Sequence, residues 1–265
     1  MKLTIILFLL ISTQFIIANA NSSNNSYNVI SFLPYMQNYI ITGTDTKLEG
    51  NQGKIQFSFK APLMNRFLST QLFFAYTQLF SLDWHALGTY QSRIPDAYFM
   101  PLCFFRTYIY NNHLNYIDFG LQHKSNGTTS GYEISFGNRL FIAAQFSFFD
   151  SLNLNIKVWG NTIGKTTAPS DINEYFGRYE LRLFYTILKF SDSLNNISIY
   201  MMTRPGVNIN KIPLELGLEI KSSKDYPSVY IQWWRGYGER LSYYDTYTNS
   251  LRFGFIFPFN DFKDS

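Results

Sequence analysis

The chain has a single cysteine in 265 residues, Cys103, which rules out a disulfide scaffold. Charge is also scarce. Asp, Glu, Lys and Arg make up 15% of the residues, where soluble globular proteins carry about a quarter. An ordinary soluble enzyme is therefore disfavoured from the outset. Three scattered His and one Cys cannot build a typical zinc site. No GxSxG elbow, GxGxxG loop, Walker A loop or HExxH pair occurs, which removes the commonest hydrolase, dinucleotide, nucleotide and metalloprotease signatures. The net charge of +4 is small and dispersed, and gives no support to a nucleic-acid partner. After the first twenty residues no run of about eighteen uninterrupted apolar residues appears, so the mature chain offers no spanning helix.

Aromatics are what the chain has in excess: 26 Phe and 20 Tyr, with 19% aromatic residues overall. Met1 to Ala20 reads as a signal peptide, with one Lys, a long apolar run and the small-x-small site Ala18-Asn19-Ala20. Cleavage there exports residues 21–265. The competing reading is an N-terminal membrane anchor, but no basic stop-transfer cluster follows.

The exported part alternates apolar with polar or small residues in successive runs broken by Asn, Gly, Asp, Ser and Lys clusters. Such runs are Lys54 to Lys60, Leu68 to Gln78, Tyr98 to Tyr108, Tyr116 to Ser125, Phe136 to Phe148, Leu152 to Trp159, Tyr179 to Lys189, Ile197 to Thr203, Leu214 to Lys221, Ser228 to Gly236 and Ser250 to Pro258. With Tyr39 to Thr42 they predict about twelve antiparallel strands in an up-and-down sheet. A sheet of that size without covering helices must close on itself or leave its edges unpaired. A soluble barrel points its apolar face inward, whereas a transmembrane barrel points it at lipid and keeps a polar interior. Export, an even strand count and the aromatic surplus favour a twelve-stranded antiparallel transmembrane β-barrel in the outer membrane of a Gram-negative bacterium. One feature departs from that pattern: the terminal aromatic, Phe262, stands three residues short of the end.

The chemistry concentrates on one hairpin. Alternation along Tyr116 to Ser125 puts Ile117, Phe119, Leu121, His123 and Ser125 on one face. After the turn-like Asn126 to Gly131, alternation groups Asn138 with Leu140, Ile142, Ala144, Phe146 and Phe148, again the apolar face. The opposite face carries Asp118, Gly120 and Gln122 with Arg139, Gln145 and Ser147, and suits a polar lumen. Three polar groups at the end of a lipid-facing surface are costly unless they act. A Ser hydroxyl needs a base within hydrogen-bond reach, itself oriented by a third group. His123 lies one i to i+2 step from Ser125, and the Asn138 amide oxygen can accept the other imidazole N–H. A lone His-x-Ser means little, and Asn126-Gly127 alone is ordinarily a tight turn. The shared face, export and Asn138 together point to acyl transfer.

His123-Lys124-Ser125-Asn126-Gly127 followed by Asn138-Arg139 resembles the HxSNG…NR signature of bacterial outer-membrane phospholipase A. Tyr76-Thr77-Gln78 resembles its YTQ, and Gly236-Tyr237-Gly238-Glu239-Arg240-Leu241 with Tyr244-Asp245 its late GYGESLxDYN. The resemblance implies a calcium-dependent, dimerisation-activated hydrolase of phospholipid and lysophospholipid acyl esters (A1/A2 and lysophospholipase type). It implies Ser125 as nucleophile, His123 as base and then acid, Asn138 as orienting residue, and the Asn126 N–H at the oxyanion. It assigns calcium (Ca2+) to the Thr128 carbonyl and to Ser92 contributed by the partner of a homodimer, and places Gln78 at the dimer interface. Departures surround the third ligand. The family's SRSWNR is replaced by Ile134-Ser135-Phe136-Gly137-Asn138-Arg139, with one extra residue between His123 and Asn138. Counting forward from His123 lands the ligand on Glu133, counting back from Asn138 lands it on Ile134, and Ser135 serves as substitute with a local shift. Pro95 and Met100 stand where the family tends to carry Arg and Glu. The rival readings are a catalytically degenerate or porin-like barrel and a soluble carbohydrate-binding barrel.

Overall fold

A computed structural model of the chain describes residues 32–45, 51–83, 94, 96–111, 113–127, 133–149, 151–164, 166–189, 196–205, 208–221 and 226–257. The expected signal peptide, residues 1–20, lies outside them. Twelve strands run β1 (Asn38–Asp45), β2 (Asn51–Pro62), β3 (Thr70–Asp83), β4 (Asp96–Tyr108), β5 (Leu114–Ser125), β6 (Ser135–Phe148), β7 (Leu152–Ile163), β8 (Tyr179–Lys189), β9 (Asn196–Thr203), β10 (Leu214–Lys221), β11 (Ser228–Gly236) and β12 (Thr248–Phe257). Each pairs antiparallel with its chain neighbours, and β1 closes onto β12 from Asn38↔Phe257 to Asp45↔Ser250. Closure leaves no sheet edge unpaired, which is what allows strands to cross a bilayer. The single α-helix among the described residues, α1 (Ile172–Phe176), lies between β7 and β8, and one 3-10 turn (Ile209–Lys211) lies between β9 and β10.

The alternation is apolar outward. On β12, Leu251, Phe253 and Phe255 are exposed by 54%, 62% and 57%, while Ser250 and Arg252 face inward and are buried. On β2, Lys54, Gln56, Ser58 and Lys60 face inward between half-buried Ile55, Phe57 and Phe59. Burying Lys and Arg while exposing Leu and Phe is unfavourable in water and favourable only with hydrocarbon outside. The soluble-barrel reading is thereby excluded.

Ion pairs tie the inner wall together. Arg106 and Asp118 oppose each other across β4 and β5, with Nε donating to Oδ1 at 2.8 Å and Nη2 to Oδ2 at 2.9 Å. The guanidinium also stacks 3.5 Å from the Tyr116 ring centroid. Glu239, in the 237–247 connection, accepts from Arg252 Nη1 at 2.6 Å and from Lys54 Nζ at 3.4 Å. Burial alone raises this carboxyl, but Arg252 and Lys54 outweigh it and hold its pKa down at about 2. Because the folded value lies below the ordinary one, the pairing contributes stability in full above about pH 4.5 and loses it as pH falls towards 2. The folded, heat-modifiable band on a detergent gel is expected to melt at progressively lower temperature across that window, with Glu239→Gln flattening the dependence.

The lumen differs from the wholly polar interior that the alternation suggests. Phe73, Leu102, Phe104, Phe141 and Trp159 form an internal apolar cluster against which Tyr35 and Met36 pack. Tyr35, Met36 and Gln37 turn into the barrel after Leu33, whose backbone bridges to Lys60, and Met36 Sδ accepts from Thr77 Oγ1 at 3.5 Å and Arg182 Nη2 at 3.6 Å. Connections 63–69, 109–113, 149–151, 190–195 and 222–227 are short, whereas 84–95, 126–134, 164–178, 204–213 and 237–247 are longer and share the opposite end with 46–50. That asymmetry places the longer set on the extracellular side. Ile134, Ile172, Phe176 and Leu241 from these connections pack with Phe136 of β6 at this end of the barrel. A lumen plugged by an internal apolar cluster and roofed by loops is a poor conduit, which weakens the porin-like reading.

Candidate functional site

His123 and Asn138 face each other directly across the β5–β6 ladder on the outward face. Their side chains meet, with His123 Nδ1 and Asn138 Oδ1 3.3 Å apart. An amide oxygen only accepts, so Nδ1 carries the proton and Nε2 is left as the basic nitrogen. Ser125 is half-buried on the same face, in register with Ser135 on one side and Phe99 on the other. Its hydroxyl and the imidazole are not bonded to each other, as is common for catalytic contacts that tighten only around substrate. Below the three polar residues the same face continues as exposed Leu121, Phe119, Leu140 and Ile142, so the site stands at the upper edge of an apolar belt.

The extra residue between His123 and Asn138 has a definite place. Register runs His123↔Asn138 and then Ser125↔Ser135, so two residues of β5 oppose three of β6. A bulge at Phe136 and Gly137 absorbs the insertion, and Gly137 adopts φ 63°, a left-handed conformation in which only glycine avoids strain. Its N–H donates to Ser135 Oγ at 3.2 Å. The hairpin on the far side of the bulge therefore keeps its count from His123.

Asn126 is completely buried and braces that hairpin. Its backbone N–H donates to the Ile134 carbonyl at 3.1 Å, its Oδ1 accepts the Ile134 N–H at 2.9 Å, and its Nδ2 donates to Ser242 Oγ at 3.1 Å. The amide assigned to the oxyanion is thus engaged within the hairpin in this conformation. Gly127 follows at φ 58°, where a Cβ would meet Phe99 Cε2 at 2.8 Å. Ser92 and Thr128, two of the expected calcium ligands, lie outside the described residues, as does Pro95. Glu133 is exposed at the start of the returning strand. Ser135 is buried, and its hydroxyl is turned onto Gly137. Among the described residues no cluster of three or more His, Cys, Asp or Glu is grouped for a metal. Met100 is buried in the internal apolar cluster.

Sequence reasoning missed Asp96. At the mouth end of β4 it accepts from Leu241 N–H at 2.8 Å, Ser242 N–H at 3.0 Å and Ser242 Oγ at 2.5 Å. Through Ser242 it links the 237–247 loop to Asn126 and hence to the end of β5. Its partner lies 145 residues away, a separation at which no local pattern signals contact. Asp96→Ala leaves two buried backbone donors unpaired, and a loss of roughly 2–4 kcal/mol is expected, with reduced activity. Denaturant unfolding in detergent measures it; a wild-type midpoint would show that the loop is held by other contacts.

Gln78 is half-buried on the outward face of β3, and Tyr76 Oη donates to its Oε1 at 3.1 Å. It pairs with Phe99, which pairs with Ser125, so Gln78 and the hydroxyl share one row across three strands. At one strand spacing per step that is about 10 Å. Phe59 beside it packs against Phe57, Phe74 and Tyr76 at centroid distances of 5.6, 6.3 and 5.9 Å.

A closed twelve-stranded barrel, apolar without and charged within, is an outer-membrane β-barrel, and His123, Ser125 and Asn138 stand at the rim of its lipid-facing belt. The sequence profile of the phospholipase A1 family matches residues 17–257, and the chain belongs to that family. It is an outer-membrane phospholipase, a lipid ester hydrolase. The fold is similar to that of outer membrane phospholipase A from Escherichia coli, at 23% identity and a TM-score of 0.74 over 93% of this chain and 97% of that one. It is also similar to the Salmonella typhi outer membrane phospholipase, crystallised as a dimer with bound calcium, at 24% identity and a TM-score of 0.75 over 89% and 94%. No curated protein sequence matches the chain.

Proposed function

We infer that the protein hydrolyses phospholipid and lysophospholipid acyl esters by a serine mechanism in which Ser125, His123 and Asn138 form the triad. The observation that carries the reading is the His123–Asn138 contact on the lipid-facing side, one step along the strand from Ser125. Ser125 Oγ attacks the ester carbonyl while His123 Nε2 takes its proton. The tetrahedral intermediate collapses by expelling the alcohol, which receives that proton from His123. Water activated by the same nitrogen then releases the fatty acid and frees Ser125. Asn138 fixes the tautomer without placing an ionised group against hydrocarbon. The Asn126 N–H serves the oxyanion once it exchanges the Ile134 carbonyl for substrate, a local loosening at the hairpin tip.

Calcium fits the donor set at this hairpin, which offers hard oxygens and no sulfur. Glu133, Thr128 and, from a partner subunit, Ser92 would hold it. Because the insertion is absorbed at Gly137, counting from His123 stays valid on the hairpin side and favours Glu133 over Ser135 as the third ligand. When bound, calcium supplies positive charge that polarises the ester carbonyl and orders water. A homodimer through the aromatic β2–β3 face around Gln78 would seat a second subunit about 10 Å from Ser125, which suits a hydrolase that must stay silent in its own membrane.

A serine-directed sulfonyl fluoride tests the mechanism. Peptide mapping of the folded, calcium-loaded protein is expected to find a single adduct, on Ser125, formed in parallel with loss of fatty-acid release. Labelling on another serine with activity lost in step would remove Ser125 as nucleophile.

A further inference from the structure

Behind the candidate triad the cavity inside the barrel is lined by six cations, Lys54, Lys124, Lys157, Arg139, Arg182 and Arg204, against three carboxylates, Glu180, Glu215 and Glu239. Lys124 lies between His123 and Ser125, and Arg139 follows Asn138, so alternation turns both inward, back to back with the outward site. They are 8% and 4% exposed. Arg139 packs its guanidinium over Phe136 at 4.3 Å and Trp159 at 5.3 Å, and its Nε and Nη1 have no hydrogen-bond partner among the described residues. Lys124 Nζ sits over Tyr98 at 4.0 Å and Phe176 at 4.5 Å. Arg204 approaches Phe176 at 4.6 Å, donates from Nη2 to the Gly238 carbonyl at 2.7 Å, and keeps Nε unpartnered. The three cations line one cavity, which Trp159 Nε1, also unpartnered, shares with them.

Among the described residues no carboxylate of this cavity hydrogen-bonds to Lys124, Arg139 or Arg204, although Glu180 and Glu215 act on them through space. Glu180 is bridged to Arg182 at 2.6 Å, Glu215 Oε1 accepts from Gln232 at 2.8 Å, and Glu239 serves Arg252 and Lys54. Asp96, nearer the mouth, is taken by Leu241 and Ser242. Water satisfies N–H donors but does not offset charge, and a guanidinium cannot shed its proton. A mobile anion does both. The planar forks of two Arg suit an oxyanion, and a tetrahedral one offers the most acceptor oxygens in the least volume.

We propose that Lys124, Arg139 and Arg204 form an internal binding site for a small tetrahedral oxyanion of the inorganic phosphate class, which braces the β5–β6 hairpin from inside the barrel. The unbroken β4–β5–β6–β7 wall separates this cavity from lipid, so the ion comes from solution and not from a headgroup.

Equilibrium dialysis of the refolded full-length protein in zwitterionic detergent against radiolabelled phosphate tests this directly, without reference to hydrolysis. One phosphate per barrel is expected, displaced by sulfate but not by chloride at matched ionic strength, with a melting temperature raised by roughly 5 °C at saturation. Arg139→Gln and, separately, Arg204→Gln, each checked for folding by heat modifiability, are expected to weaken binding at least tenfold. If Arg139→Gln does not fold, the wild-type stoichiometry and Arg204→Gln decide. Absence of binding at millimolar phosphate, or unchanged affinity in the folded variants, overturns the proposal. So does competition by anionic phospholipid added to the micelles, which would place the site on the outer surface.

Discussion

Ser125→Ala is expected to lower fatty-acid release from phospholipid–detergent micelles by about 10^4-fold or more, with the barrel intact. The size of the effect follows from what is removed. No other atom on that face offers an activated oxygen, and the imidazole left behind has nothing to deprotonate except water. Stability should hardly change, because Ser125 is half-buried on the outer face and Ala keeps the strand's ladder bonds to Phe99 and Ser135. His123→Ala should cost about as much, and the double variant little more than either, since residues acting as a unit are not additive. Asn138→Ala should cost less, about a hundredfold, because it removes orientation without removing the base. Initial rates at saturating calcium, beside gel heat modifiability as the folding control, give the answer. A folded Ser125→Ala barrel with near wild-type rate sinks the serine mechanism and leaves the family's chemistry to be located elsewhere on the chain.

The strands were legible because a transmembrane barrel repeats one simple pattern. Leu251, Phe253 and Phe255 outward against Ser250 and Arg252 inward can be read from the letters alone, and so can the common face of His123, Ser125 and Asn138. Legibility failed where the lumen departs from polarity. The alternating run from Leu68 ends at Gln78 in the letters, yet β3 continues to Asp83 with Leu79 and Leu82, on opposite faces, both buried, which blurs the binary alternation. Phe73, Phe104 and Phe141 fill the interior on positions where alternation alone suggests polar groups. Neither the inward turn of residues 35–37 nor the Asp96–Ser242–Asn126 link has a local signature, since both depend on partners brought close only by closure. The bulge is intermediate: the sequence shows one residue too many, and the backbone of Gly137 shows where it goes.

Removing calcium is the second large effect expected, a fall of hydrolysis to background in chelator with the barrel still folded, restored by adding the ion back. Strand pairing and the lumen ion pairs are independent of the hairpin tip, so loss of the ion should leave heat modifiability unchanged. The informative comparison is between two variants. Glu133 is exposed where the returning strand begins, and a carboxylate is a harder and more strongly charged ligand than a hydroxyl. Glu133→Gln removes that charge while keeping an oxygen, and should raise the calcium needed for half-maximal activity by about tenfold. Ser135 is buried with its hydroxyl accepting the Gly137 N–H, so Ser135→Ala should leave the calcium requirement where it was and cost only stability. Activity titrated against buffered calcium separates the alternatives, and direct calcium binding to the folded variants separates affinity from turnover. The opposite ranking, with Glu133→Gln unaffected and Ser135→Ala impaired, would mean that the hairpin rearranges around the bulge, and that counting from Asn138, shifted by one, was the correct frame.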